Sequence, residues 1–159
     1  MSHDAEANMT PKAIHQFPND LLLGEVERLL AEGRDVMLVP KGRSMLPFIR
    51  GGTDKVLLRK PSVSELSVGD IVLARKDGGQ YVMHRIIAIA GERITLMGDG
   101  NLHGTEVVEK KDVAGKVMEI LTPTGQHYKP TQGWLWRKLL PIRKYLLKIY
   151  RKWNKLKKK

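Results

Sequence analysis

The chain has 159 residues, of which 42% are hydrophobic and 28% charged, as expected for one globular domain with a core of its own. It contains no cysteine, which excludes disulfides, thiolate metal sites and a cysteine nucleophile, and its five histidines form no His-x-x-x-His pair. We therefore expect neither a metal nor another cofactor. The net charge of +11 is unevenly distributed, because residues 134–159 carry eleven Lys and Arg and no acidic residue, whereas residues 1–133 are neutral overall. This distribution disfavours a nucleic-acid-binding domain despite a pI near 10.

The N-terminal segment, residues 1–19, is polar and is predicted to be flexible. It lacks the apolar stretch of a signal peptide, and no part of the chain reaches the roughly 18 apolar residues that a membrane-spanning helix needs. We therefore expect a cytoplasmic protein. Asn19 or Asp20 can cap a helix that runs to about Glu32 and ends at Gly33. One face of this helix carries Leu22, Val26, Leu29 and Leu30.

Short apolar runs separated by glycine-rich turns predict a mainly β domain over residues 20–122. One of these turns, Asp77-Gly78-Gly79, is a typical hairpin signal. The chain shows no regular alternation of strands with helices, so we expect the strands to be antiparallel. The predicted strands cover residues 35–39, 55–59, 70–75, 81–90, 93–97 and 114–121.

The remaining chain is predicted to be a linker over residues 123–133 and a basic amphipathic helix over residues 134–159, which Pro141 must kink or restart. Such a helix suits the surface of an anionic membrane, so we expect a peripheral location at the inner membrane face. The alternative is that its apolar stripe packs on the β domain and the cations are merely solvated. The stripe consists of Leu135, Leu139, Ile142, Leu146, Ile149, Trp153 and Leu156.

Three polar residues form a candidate active site. Ser44 lies in Gly-Arg-Ser-Met-Leu-Pro, whose glycine and proline predict a shaped turn with free backbone N–H groups. His84 lies in an apolar strand, and Asp99 lies in the turn Gly-Asp-Gly-Asn. Taken singly, these are an ordinary loop hydroxyl, a half-buried histidine and a turn former. Together, a hydroxyl, an imidazole and a carboxylate can make the serine nucleophilic at neutral pH.

The three segments, in this order, resemble the S24/S26 superfamily of serine peptidases, which includes signal peptidase I and the self-cleaving LexA-type repressors. Bacterial signal peptidases and LexA-type proteins have a lysine as general base where this chain has His84. The histidine form resembles the archaeal and endoplasmic-reticulum-type signal peptidases instead. The resemblance covers roughly residues 20–120, and similar sequence also falls at 69–72, Gly-Asp-Ile-Val, and at 114–117, Ala-Gly-Lys-Val.

This resemblance implies an antiparallel signal peptidase/LexA-like β domain and a serine endopeptidase that cleaves a leader or signal-like peptide, or a specific protein, through an acyl-enzyme. By position, Ser44 is the nucleophile, His84 the general base and Asp99 the acid that orients the imidazole. Glu106 or Asp112 can take the place of Asp99, because the chain departs from the family pattern after Gly-Asp-x-Asn. Two alternatives remain on the same fold, a non-catalytic regulatory module and a LexA-like self-cleaving module.

Overall fold

Nine strands form one sheet in the computed structural model, which describes residues 12–13 and 19–157. The strand order is β1-β2-β3-β8-β4-β5-β6-β7, with β9 paired to β8. All pairs are antiparallel except the pair of β1 with β2. The strands in chain order are β1 Lys12–Ala13, β2 Val36–Leu38, β3 Lys55–Arg59, β4 Ile71–Arg75, β5 Tyr81–Ala90, β6 Arg93–Met97, β7 Glu106–Glu109, β8 Val113–Leu121 and β9 His127–Tyr128.

The predicted mainly antiparallel β fold is confirmed, and β3, β5 and β6 have the predicted bounds residue for residue. The strand β7 was not predicted, because Glu-Val-Val-Glu is short and follows a polar loop. Its pairing with β6 is a tertiary contact that no local sequence pattern predicts. The predicted flexible segment 1–19 lies mostly outside the described residues.

The helix α1, Asn19–Ala31, ends where the sequence predicts and packs its apolar face on the sheet. Val26, Leu29 and Leu30 are buried there, and Leu22 is partly buried. They share one core cluster with residues of β2, β3, β4 and β8. A second cluster, around Ile86 of β5, lies under β4, β5, β6 and β7. The sheet thus has two packed regions, and its middle strands β4 and β5 contribute to both.

The basic C-terminal segment contains α2, Trp134–Lys138, a short 3₁₀ turn over Leu140–Ile142, and α3, Arg143–Lys157. Pro141 lies in the 3₁₀ turn, so the helix restarts after it as the sequence predicts. No helix among the described residues is long and apolar enough to cross a bilayer. The chain before α2, predicted to be a linker, includes β9, and the carbonyl oxygen of Thr131 accepts a hydrogen bond from buried Arg85.

Candidate active site

Ser44 lies in a turn that follows β2, and only some of the backbone N–H groups of this turn are paired within the described residues. Gly42 has φ +87°, a conformation that glycine adopts without strain. The N–H groups of Leu46, Phe48 and Ile49 donate to carbonyl oxygens within the turn. The N–H groups of Ser44 and Met45 donate to no backbone carbonyl among the described residues. N–H groups without a backbone acceptor beside a nucleophile are the donors that an oxyanion hole uses.

The loop Gly-Asp-Gly-Asn, residues 98–101, packs against the Ser44 turn through close contacts between the two backbones. The Gly100 N–H donates to the Ser44 carbonyl oxygen at 2.7 Å. A Cβ on Gly100 would lie 2.5 Å from the Arg43 carbonyl oxygen, and one on Gly98 would overlap the Ser44 carbonyl oxygen. The two glycines are therefore needed because the backbones touch, and this contact fixes where the serine lies.

His84 is held by Glu106. His84 lies on the face of β5 that also carries Ile86 of the second core cluster, and Glu106 is the first residue of β7. The Nδ1 atom of His84 lies 2.8 Å from Oε2 of Glu106, and their side chains are 8% and 21% exposed. Because a carboxylate only accepts hydrogen bonds, Nδ1 carries the proton of the neutral imidazole and Nε2 is left as an acceptor. This is the tautomer that a general base needs.

Ser44 and His84 line the same cavity, which has a volume of about 170 Å³. Met45, Ile49 and Tyr81 supply part of its apolar wall. No hydrogen bond joins the Ser44 hydroxyl to the His84 ring among the residues that the structure describes. Such contacts often tighten only when substrate is bound. The folded chain thus brings the predicted nucleophile and the predicted base into one cleft.

Asp99 does not contact the imidazole but forms a buried ion pair with Arg85. Arg85 Nε and Nη2 donate to the two Asp99 oxygens at 2.8 and 2.7 Å, and both side chains are almost fully buried. The prediction that Asp99 orients His84 is therefore corrected: Asp99 pairs with Arg85 and not with the imidazole. The physical reason is strand alternation, because His84 and Arg85 are consecutive in β5 and point to opposite faces. The register Arg85↔Met97 then brings Asp99 next to the arginine.

The other acid left open by the sequence, Asp112, also lies away from the imidazole. Its Oδ2 accepts a hydrogen bond from the Glu109 N–H at 2.9 Å and caps a short 3₁₀ turn. Of the three acids considered from the sequence, Glu106 is thus the one in contact with His84. No role was predicted for Arg85, although a charged residue inside the mainly apolar strand β5 is a signal for a buried ion pair.

The strand β5 extends beyond its pairing with β6 at the border of the cleft. The strand β6 pairs with β5 from Arg85 onwards, so residues 82–84 form no ladder with β6 or with any other described strand on that side. Beside it, a second cavity of about 180 Å³ is lined mainly by apolar side chains of α1, β2, β4 and β5. An extended peptide could add to such an edge and place side chains into the two cavities.

The C-terminal helices also contact the loop 98–101. Trp136 Nε1–H donates to the Asp99 carbonyl oxygen at 2.8 Å, and its ring meets Phe48 edge to face. Arg143 donates to the carbonyl oxygens of Asn101 and Trp136. Burial lowers the pKa of Arg143 from its ordinary value, against the opposing effect of the Asp99 charge. The segment after residue 133 therefore helps to position the loop that holds Ser44.

Comparison with known proteins supports an assignment by family. A search of curated proteins found no match to the chain. A family model described as Peptidase S24-like matches residues 5–118, which is well over half of the chain and includes Ser44, His84, Asp99 and Glu106. The mainly antiparallel sheet agrees with this match. The chain therefore belongs to the Peptidase S24-like family, a family of serine peptidases.

Proposed function

We propose that the protein is a serine endopeptidase, in which Ser44 is the nucleophile, His84 the general base and Glu106 the residue that orients it. The observation that carries this proposal is the shared cavity of Ser44 and His84, together with the Glu106 carboxylate 2.8 Å from Nδ1 of the imidazole. A carboxylate in that place favours the reactive tautomer and stabilises the imidazolium that forms during the reaction.

The reaction follows from these positions. Nε2 of His84 takes the proton of the Ser44 hydroxyl as its oxygen attacks the peptide carbonyl carbon. The negative charge that develops on the carbonyl oxygen meets the N–H groups of Ser44 and Met45. The imidazolium then gives its proton to the departing amine, which leaves an acyl-enzyme on Ser44. Water, activated by the same imidazole, releases the acid product.

The substrate class that fits the cleft is an extended peptide. Residues 82–84 offer a strand edge to which no described strand pairs, and the cavity at Ser44 is small. The histidine in the Met-His-Arg-Ile-Ile segment resembles archaeal and endoplasmic-reticulum-type signal peptidases, so we propose a leader or signal-like peptide, or one specific protein, as the substrate.

The test is covalent labelling of the full chain by a serine-directed phosphonate probe. We expect Ser44 to be labelled, and Ser44→Ala to lose both the label and any cleavage activity. The matched control is Ser67→Ala, because Ser67 is an exposed serine outside the cleft and should label normally. A wild-type protein that is folded but never labelled would instead favour a regulatory module on this fold.

A second candidate, LexA-like self-cleavage, is favoured by one observation. The strand β1, Lys12–Ala13, pairs in parallel with β2, the strand that leads to the Ser44 turn. Residues 12–13 therefore lie beside the strand that leads to the Ser44 turn of the same molecule. Self-cleavage predicts fragments that appear at a rate independent of protein concentration and that are absent in Ser44→Ala. A rate that rises with concentration would exclude this candidate and favour cleavage of a separate chain.

A further inference from the structure

The helix α3 has an apolar face that nothing covers among the described residues. Its members recur at spacings of three and four residues, so they form one stripe along the helix. Their exposed fractions lie between 47% and 64%, which is far above what packed apolar residues show. The stripe begins in the preceding 3₁₀ turn and consists of Ile142, Tyr145, Ile149, Trp153 and Leu156.

A different face of α3 packs on the β domain. Arg143 and Leu147 are buried, and Tyr150 and Asn154 are half-buried, at the spacing of one helical face. This face points away from the exposed stripe. The helix is therefore already seated by one side, so the stripe on the other side is left for a partner. The sequence left open that the whole predicted stripe packs on the domain. Four members of the predicted stripe in this region are exposed instead: Ile142, Ile149, Trp153 and Leu156.

The charges beside the stripe indicate the chemistry of that partner. Lys144, Lys148, Lys152 and Lys155 follow one another along one flank of α3, and all four are exposed. The segment 134–159 contains no acidic residue to neutralise them. A surface that accepts apolar side chains and attracts a row of cations is an anionic lipid headgroup layer over acyl chains. We propose that α3 docks through this face, its stripe and its lysine flank, onto an anionic membrane surface.

The packed side of α3 connects this docking surface to the Ser44 turn. Arg151, Asn154 and Lys155 of α3 line a cavity of about 290 Å³ together with Arg43 and Leu46, the neighbours of Ser44 in its turn. A membrane bound to the exposed face of α3 would therefore be separated from the turn that carries Ser44 by the thickness of the helix, about 10 Å. The docking itself does not depend on the proposed peptidase activity, but it would present the cleft to substrates at a lipid surface.

Flotation of the full chain with lipid vesicles tests the proposal. We expect binding to phosphatidylcholine vesicles that contain phosphatidylglycerol, no binding to phosphatidylcholine alone, and release by high salt. The double variant Ile149→Ser/Trp153→Ser should weaken binding at least about tenfold, because each change removes a large apolar side chain from the lipid contact. The matched control Val63→Ser/Val107→Ser removes two exposed apolar side chains elsewhere and should bind normally.

A second pair of variants separates the lysine flank from net charge. We expect Lys144→Gln/Lys148→Gln/Lys152→Gln to weaken binding about fivefold per lysine. The control Lys55→Gln/Lys60→Gln/Lys129→Gln removes the same charge from exposed sites outside α3 and should have little effect. Circular dichroism checks that each variant is folded. Equal losses in the two sets would overturn the proposal.

Other occupants of the stripe give distinct outcomes. A dimer in light scattering that Ile149→Ser/Trp153→Ser abolishes, with no vesicle binding, would assign the stripe to a second copy of the chain. Tight binding to duplex DNA with no vesicle binding would assign the lysine flank to nucleic acid. Either result would overturn membrane docking.

Discussion

His84 and Glu106 are 22 residues apart in the chain and lie on strands separated by β6, yet Nδ1 of the histidine lies 2.8 Å from Oε2 of the glutamate. The contact lies at the end of β6, where Met97 is in register with Arg85 and Leu96 with Glu106. It leaves Nε2 as the ring nitrogen that can accept a proton, and His84 and Ser44 line the same cavity. This contact distinguishes Glu106 from the other two acids considered for the same role.

Replacing Glu106 by glutamine should slow the reaction without unfolding the protein. The neutral amide no longer favours the tautomer with a free Nε2 and no longer stabilises the imidazolium. We expect the rate of Ser44 labelling by a phosphonate probe to fall by a factor of about 10²–10⁴. Glu92→Gln, an exposed glutamate outside the cleft, is the matched control and should label at the wild-type rate. Normal labelling of Glu106→Gln would remove Glu106 from the proposed mechanism.

Replacing Asp99 by asparagine should instead lower stability. Arg85 would remain buried without an opposing charge, and breaking a buried ion pair in this way costs about 3–5 kcal/mol. Urea unfolding followed by circular dichroism measures this loss. Asp35→Asn is the matched control, because Asp35 pairs with Arg59 at the surface, where such pairs contribute about 0–1 kcal/mol. If Asp99→Asn left stability unchanged but slowed the labelling of Ser44, Asp99 would instead be the acid that orients His84.

Adding a methyl group at Gly98 or Gly100 should displace the nucleophile. In both positions the new Cβ meets backbone atoms of the Ser44 turn, which cannot rotate out of the way as a flexible side chain could. A shift of about 1 Å in a reacting atom can cost 10²-fold in rate, so we expect a loss of that order in Ser44 labelling by Gly98→Ala and Gly100→Ala. Gly24→Ala is the control, because Gly24 lies in α1 with open space around it.

The local elements were predictable because their signals are local. The strands β3, β5 and β6 are apolar runs bounded by glycine-rich turns, and α1 has a periodic apolar face and a glycine stop. Ser44 and His84 could be predicted as candidates because Ser-Met-x-Pro and His-Arg-Ile-Ile resemble a family pattern, and both residues line one cavity. The restart of the C-terminal helix at Pro141 follows from the missing N–H of proline.

The choice of acid for His84 needed the tertiary structure. Which carboxylate reaches an imidazole depends on strand register and on which face each side chain occupies, and both are set by pairings between distant segments. Asp99 pairs with Arg85 because a fully buried guanidinium without a counter-charge costs much free energy. The strand register places Asp99 beside this guanidinium.

By itself, the sequence determined the mainly antiparallel β fold, the serine and histidine of the cleft, and a C-terminal helix rich in cations. Only the tertiary structure decided that Glu106 contacts His84, that Asp99 belongs to Arg85, and which face of α3 stays exposed. The physical reason is range: turns and amphipathic periods arise from neighbouring residues, whereas charge pairing and burial arise from contacts between residues far apart in the chain.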